Sequence, residues 1–130
     1  MGTLVSATFE VASWEEVAFD ERPDVPRLTR AAVQKRYSGG IEGVSATEWL
    51  MAYAEDGSAT FVGIERVTGS IAGRDGSLVL QHVGAFEDGA AKGRLTVVPG
   101  GGTDGLVSAR GNGDFLADPQ GSVSLDLTFE

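Results

Sequence analysis

Three Asp-Gly pairs, Asp56-Gly57, Asp75-Gly76 and Asp88-Gly89, punctuate a run of alternating apolar and polar residues. Asp-Gly favours two-residue hairpin turns because both central positions take φ > 0. Each pair therefore fixes which residues oppose one another across two strands, and a slip of one residue would turn every side chain to the other face. A two-residue turn at Asp56-Gly57 sets Glu55 opposite Ser58 and, further along the same ladder, Glu48 opposite Glu65. His82, the single histidine, has the parity of that same face.

Helical periodicity is weak, and nineteen glycines fall at hairpin spacing. The pattern predicts strands over Leu4–Ala12, Leu28–Ser38, Ile41–Ala54, Ser58–Ala72, Ser77–Glu87 and Ala90–Val98, and then over Leu106–Gly111, Asp114–Ala117 and Ser122–Phe129. An acidic connection, Ser13–Pro26, is expected to be irregular and to close one end. The last strand is expected to pair with the first, since an up-and-down sheet removes its exposed edges by closing. The fold class expected is all-β: a closed antiparallel up-and-down barrel of about eight strands, occupying residues 1–130 as one domain.

No cysteine is present, so disulfides, thiolate ligands and cysteine nucleophiles are excluded. The net charge of −9 repels a phosphate backbone, and nucleic acid is not expected as a partner. No apolar stretch approaches the ~20 residues of a membrane helix; a cytoplasmic location and no membrane partner are expected. The Pro99–Gly105 loop lacks the Gly-Lys-Ser/Thr ending of a phosphate loop.

Carried through the turns, one face collects Val44, Ala46, Glu48, Leu50, Ala52, Phe61, Gly63, Glu65, Val67, Leu78, Leu80, His82, Gly84, Phe86, Gly93, Leu95 and Val97. Large residues alternate there with glycine and no Lys or Arg occurs, as a small barrel interior requires. Passing back through Gly39-Gly40 adds Tyr37, Lys35, Val33, Ala31 and Glu42, with Lys35, Tyr37 and Glu42 near one mouth. The opposite face holds Trp49, Met51, Tyr53, Val62, Ile64, Val79 and Val83, an apolar patch too large for a bare monomer surface; either the connection 13–26 packs over it or subunits do, and a homo-oligomer is expected.

Two carboxylates opposed at about 4.5–5.5 Å inside a barrel cannot both ionise cheaply, so Glu48 and Glu65 are expected to share a proton, with one pKa raised. His82 lies one strand on, diagonal to Glu65. The expected function is to bind a small apolar organic molecule in the lumen, lined by Phe61, Leu80, Phe86, Leu95 and Tyr37. If the chain is catalytic, Glu48, Glu65 and His82 carry a cofactor-free proton transfer, an isomerisation or cyclisation, with the Glu pair as acid and His82 as base. Two other readings stand beside this one: a non-catalytic carrier, and an oligomeric structural protein with a filled barrel, in which Glu65 pairs with a basic group such as Lys35. A metal held by Glu48, Glu65 and His82 is conceivable chemically, but neither metal nor cofactor is expected.

The words Glu48-Trp49-Leu50-Met51-Ala52-Tyr53, Phe61-Val62-Gly63-Ile64-Glu65-Arg66-Val67-Thr68-Gly69, Gly73-Arg74-Asp75-Gly76-Ser77, Leu80-Gln81-His82 and Val98-Pro99-Gly100, with Phe9 and Trp14 before them, carry a family resemblance. The chain resembles, over nearly its whole length, a family of small bacterial proteins of unknown function whose barrel is similar to that of allene oxide cyclase. The resemblance implies a closed barrel and frequent oligomerisation, and it brings no activity.

Overall fold

The computed structural model describes residues 2–118 and 120–129. Nine strands follow in order: β1 (Thr3–Arg22), β2 (Val25–Gly39), β3 (Ile41–Tyr53), β4 (Ala59–Ile71), β5 (Arg74–Glu87), β6 (Ala90–Val97), β7 (Thr103–Asp104), β8 (Arg110–Asp118) and β9 (Gln120–Thr128). Every pairing is antiparallel, and β4–β5 joins the ends of the order β4-β3-β2-β1-β9-β8-β6-β5 into a closed eight-stranded barrel. Strand β7 is an extra two-residue rung on β5. No helix occurs among the described residues, so none is long and apolar enough to cross a membrane.

The three Asp-Gly pairs do three different things. Asp88-Gly89, with φ of 53° and 78°, makes the expected two-residue turn and sets Glu87 opposite Ala90. Asp56-Gly57 belongs to a three-residue turn. Ala54 N–H donates to Ser58 O at 2.8 Å, Gly57 N–H donates to Ala54 O at 3.1 Å, and Gly57 takes a φ of 89°, the geometry of a turn closed by a glycine bulge. Asp56 Oδ1 steadies it by accepting from the Ser58 backbone N–H and hydroxyl. The third pair, Asp75-Gly76, lies inside β5, and the turn before it is Ala72-Gly73.

The extra turn residue slides β3 by one position. Tyr53 opposes Ala59, and Glu65 opposes Thr47, so Glu48 faces Ile64 on the outside. Along β3 the expected faces are therefore exchanged: Trp49 and Met51 are buried, Tyr53 is half-buried on the inner side, and Val44, Ala46, Glu48, Leu50 and Ala52 point outward. Glu42 is also exposed. Faces on β4, β5 and β6 are as expected, because the Ala72-Gly73 turn displaces β5 by an even number of residues.

The acidic segment after Ala12 is not irregular. It continues β1, pairing with β2 as far as Arg22↔Val25 through three register shifts. Beyond Phe9↔Gly121, β1 has no pairing with β9. Residues 10–22 thus form a strand held on one side only, rising past the rim of the barrel.

Four rings inside the barrel lie over glycines on the neighbouring strand: Phe9 opposite Gly121, Trp49 opposite Gly63, Phe61 opposite Gly84 and Phe115 opposite Gly93. A Cβ at Gly63 would fall 2.2 Å from Trp49 Cδ1. This is the physical content of the large-against-glycine alternation: the missing side chain is the space the ring fills. Burial continues at the other end, where Ile41, Ile71, Leu78, Leu127 and Leu106, the last from the segment before β8, are fully covered.

Candidate functional site

At mid-barrel, four ionisable side chains converge. Glu65 on β4 is 0% exposed, His82 on β5 1%, and Lys35 and Tyr37 on β2 2% and 4%. Glu65 and His82 are diagonal neighbours across β4 and β5, since Glu65 opposes Leu80 and His82 opposes Gly63. Lys35 and Tyr37 reach Glu65 across the inner face of β3.

Glu65 is the hub. Its Oε2 accepts the Tyr37 hydroxyl at 2.6 Å, and its Oε1 faces His82 Nε2 at 2.8 Å and Lys35 Nζ at 3.5 Å. Burial by itself would raise the Glu65 carboxyl; the attraction of Lys35, with the hydrogen bond and charge of His82 and a smaller contribution from Ser45, outweighs it and holds the group at about 2. The expected raised carboxylate is therefore absent, for two reasons: Glu48 is on the far side of the wall, and the partner Glu65 meets is a cation.

The other members shift in the directions their surroundings dictate. Burial lowers the Lys35 amine against the opposing pull of Glu65, and it lowers the His82 imidazole in the same way. The Tyr37 phenol is pushed up, first by burial and then by the adjacent carboxylate. Lys35 Nζ also lies 4.6 Å from the ring centre of Phe9, 5.1 Å from that of Phe115 and 5.3 Å from that of Trp49, a cation set among ring faces. Thr47, opposite Glu65, has a buried hydroxyl with no hydrogen-bond partner among the described residues.

Of the residues expected at the site, Glu65, His82, Tyr37, Phe61, Leu80 and Leu95 are buried inside the barrel. Phe86 is 40% exposed, near the turn between β5 and β6. Glu48 is outside, bound to Arg30 Nε at 2.7 Å, and so does not join Glu65 and His82 in a metal-binding trio. No group of three His, Asp or Glu side chains placed to hold a metal occurs among the described residues. Lys35 is not at a wet rim but at the centre, paired with Glu65 as the structural reading anticipates. Trp49, expected on the surface, is the residue sequence reasoning missed; it lies opposite Gly63 only once the turn at Asp56-Gly57 has three residues.

Above this floor lies a second polar cluster. Glu16 Oε2 accepts from the Thr29 hydroxyl at 2.6 Å and the Tyr53 hydroxyl at 2.5 Å, and Glu16 Oε1 accepts from Trp14 Nε1 at 3.1 Å. These bonds, helped by Arg27, lower the Glu16 carboxyl although its partial burial opposes them. Trp14, 44% exposed, packs edge-on over Trp49 with centres 5.5 Å apart. The one-sided half of β1 is thus latched onto Thr29, Tyr53 and Trp49, and the Trp49 indole N–H in turn donates to His82 Nδ1.

A sequence pattern described as a protein of unknown function (DUF3224) matches residues 5–129. The chain belongs to the DUF3224 family. A crystal structure of a DUF3224 protein with unknown function from Shewanella oneidensis MR-1 is 33% identical, with a TM-score of 0.85 over 100% of this chain and 99% of the other. No curated protein matches it. This DUF3224 chain is therefore a small β-barrel of a family whose function is unknown, and what its site can do has to be argued from the site.

Proposed function

We propose that this DUF3224 barrel takes a small, largely apolar organic molecule into its lumen at Glu65 and moves a proton on it, an isomerisation or cyclisation that needs no cofactor. The observation that carries the proposal is the convergence of Tyr37, His82 and Lys35 on one fully buried carboxylate. Removing such charges from water costs several kcal/mol per ion, and apolar residues of similar volume are often as stable or more so. Stability alone therefore gives little reason to keep this set inside a barrel so rich in rings. In this reading Glu65 accepts the proton, while the Tyr37 hydroxyl and the His82 Nε2–H donate one.

The rings that fill the interior favour a second reading, a barrel whose buried cluster is structural. Nuclear magnetic resonance of the His82 ring and the Trp49 indole, during titration with benzyl alcohol, cyclohexanone and similar compounds, separates the two. Ligand binding predicts saturable shifts at both residues that Glu65→Gln weakens. Signals indifferent to every compound, in a protein that Glu65→Gln merely destabilises, would leave the structural reading in its place.

Self-association is part of the proposal. Leu50, Val62, Ile64 and Val83, each about half exposed, form an outer band across β3, β4 and β5 that a second copy would cover. Light scattering of the wild type against Val62→Lys tests it; a monomeric wild type refutes it.

A further inference from the structure

We infer that Lys35 is a covalent anchor: the lumen takes a small apolar aldehyde or ketone, whose carbonyl carbon condenses with the Lys35 amine to form an imine. The inference rests on the lumen-binding reading above and gives that site its substrate class.

The geometry around Nζ carries it. A lysine kept only to neutralise a buried carboxylate belongs at the short distance of a charge-assisted bond, about 2.7–2.9 Å. Here Tyr37 and His82 hold the close positions on Glu65, and Nζ stands off at 3.5 Å. Around it lie the faces of Phe9, Phe115 and Trp49. A purely structural cation in such a place is better served by arginine, which forks onto a carboxylate and stays charged, whereas lysine loses its proton when buried and is the residue of Schiff-base chemistry. Burial does lower this amine.

The chemistry closes without an outside oxidant or reductant. The Lys35 ammonium passes a proton to Glu65 or bulk solvent, and the free amine attacks the carbonyl carbon. A C–N bond forms as the carbonyl π pair moves to oxygen, which takes a proton from His82 Nε2 or the Tyr37 hydroxyl. The adduct's nitrogen, which at this point carries a positive charge and no lone pair, returns a proton to the group that protonated the oxygen. The carbinolamine hydroxyl then leaves as water with the proton held by Glu65 or drawn from solvent, and the freed nitrogen lone pair completes the C=N bond of the protonated imine. One water leaves for each imine formed. The unpartnered Thr47 hydroxyl, opposite Glu65, is a spare group for the carbinolamine oxygen. Once formed, a protonated imine draws electrons from the adjacent carbon, so that Glu65 can remove the α-proton that the proposed proton transfer requires.

The chain has two lysines, Lys35 and the exposed Lys92 on β6, and this makes the test internal. The full-length protein is treated with benzaldehyde and sodium cyanoborohydride at neutral pH, and the benzylated lysine is located by peptide mass spectrometry. Lys35 is expected to be benzylated about tenfold faster than Lys92, because burial favours its free amine. Excess benzyl alcohol, which has the ring without the carbonyl, should slow Lys35 and not Lys92. Lys35→Arg should keep the fold and lose the fast site. Labelling of Lys92 while Lys35 stays unmodified overturns the inference, and the His82 signal then says what else falls. If benzyl alcohol shifts that signal, the lumen binds and only the imine fails; if it does not, the lumen-binding reading fails too. The wild-type comparison decides even if Lys35→Arg does not fold.

Discussion

The indole Nε1 of Trp49 lies 3.1 Å from Nδ1 of His82. An indole N–H can only donate, so Nδ1 is an acceptor and the imidazole proton sits on Nε2, where it points at Glu65 Oε1 2.8 Å away. One residue on the inner face of β3 thus sets the tautomer of the histidine. A second proton on the ring would have to enter at Nδ1, head-on against the indole N–H. That conflict adds to burial, the chief cause of the lowered His82 pKa, and to the nearby Lys35 charge, which lowers it further.

His82 is therefore expected to remain a neutral Nε2–H tautomer to below the ordinary imidazole pKa of about 6.5. Two-bond proton–nitrogen correlation spectra of the ring, recorded while the pH is lowered, check this directly. Because the unfolded chain takes up this proton at about 6.5 and the folded chain only at lower pH, His82 costs stability progressively as pH falls below about 6.5. Trp49→Phe frees Nδ1 and should raise the His82 pKa. An Nδ1–H tautomer in the wild type would refute the assignment.

Glu65 dominates the acid limb. Its carboxyl is held below its ordinary 4.5, at about 2, so the stabilisation it supplies is complete above about pH 4.5 and is lost as pH falls toward 2. Glu65→Gln leaves Lys35 buried without its counter-charge and should cost about 3–5 kcal/mol in urea unfolding. The double variant Lys35→Met/Glu65→Leu should cost less than the two single changes added together. Strict additivity would mean the pair does not interact in the folded protein.

The barrel was legible in the sequence because its signals are redundant: glycine spacing, alternation and strand count each point to closure. The site was half legible. Glu65 and His82 sit on strands whose parity the slip of β3 leaves alone, whereas Lys35 and Tyr37 fall inside as expected because a second one-residue difference, at Gly39-Gly40, where Tyr37 opposes Gly43 and not Glu42, cancels the first. Glu48 and Trp49 hang on a single turn, where Glu55-Asp56-Gly57 forms a three-residue loop from residues that would serve a two-residue one equally well. One extra residue exchanged an acid for an indole. The β1 extension was unreadable for another reason: its register shifts at Ser13, Asp20 and Arg22 break the alternation by which a strand is recognised.

Gly63→Ala tests the ring-over-glycine packing. The new methyl would sit 2.2 Å from Trp49 Cδ1 and 2.4 Å from Glu48 O, so the ring or the strand has to shift. A loss of about 1–3 kcal/mol is expected, with a change in tryptophan emission and a disturbed His82 ring signal. A variant as stable as the wild type with unchanged spectra would mean the interior is looser than described.

Glu48 should matter little to stability. Its partner is Arg30 at 2.7 Å, but the two side chains are 53% and 67% exposed, and solvent-screened pairs of this kind contribute about 0–1 kcal/mol. Glu48→Ala is expected to lie within that range and to leave the His82 titration untouched. A shifted His82 pKa in this variant would restore Glu48 to the interior and overturn the three-residue turn.

The last expectation concerns how anything reaches Glu65. Strand β1 is paired on both sides from Ala7 to Phe9 and on β2 alone from Glu10 onward, and the half without a second neighbour carries Trp14 over Trp49 and Glu16 onto Tyr53. One-sided pairing with interrupted register is the pattern of local opening at low free energy. Backbone amides after Ala12 in β1 should therefore exchange with deuterium faster than those of residues 5–9, and the Trp49 indole N–H, beneath the latch, should follow the faster class. Trp14→Ala removes a half-exposed ring, so global stability should fall by only about 1 kcal/mol, while exchange at the Trp49 indole accelerates several-fold. Uniform protection along all of β1 would make this half of the hairpin a fixed wall, and a route into the lumen would then have to be sought elsewhere.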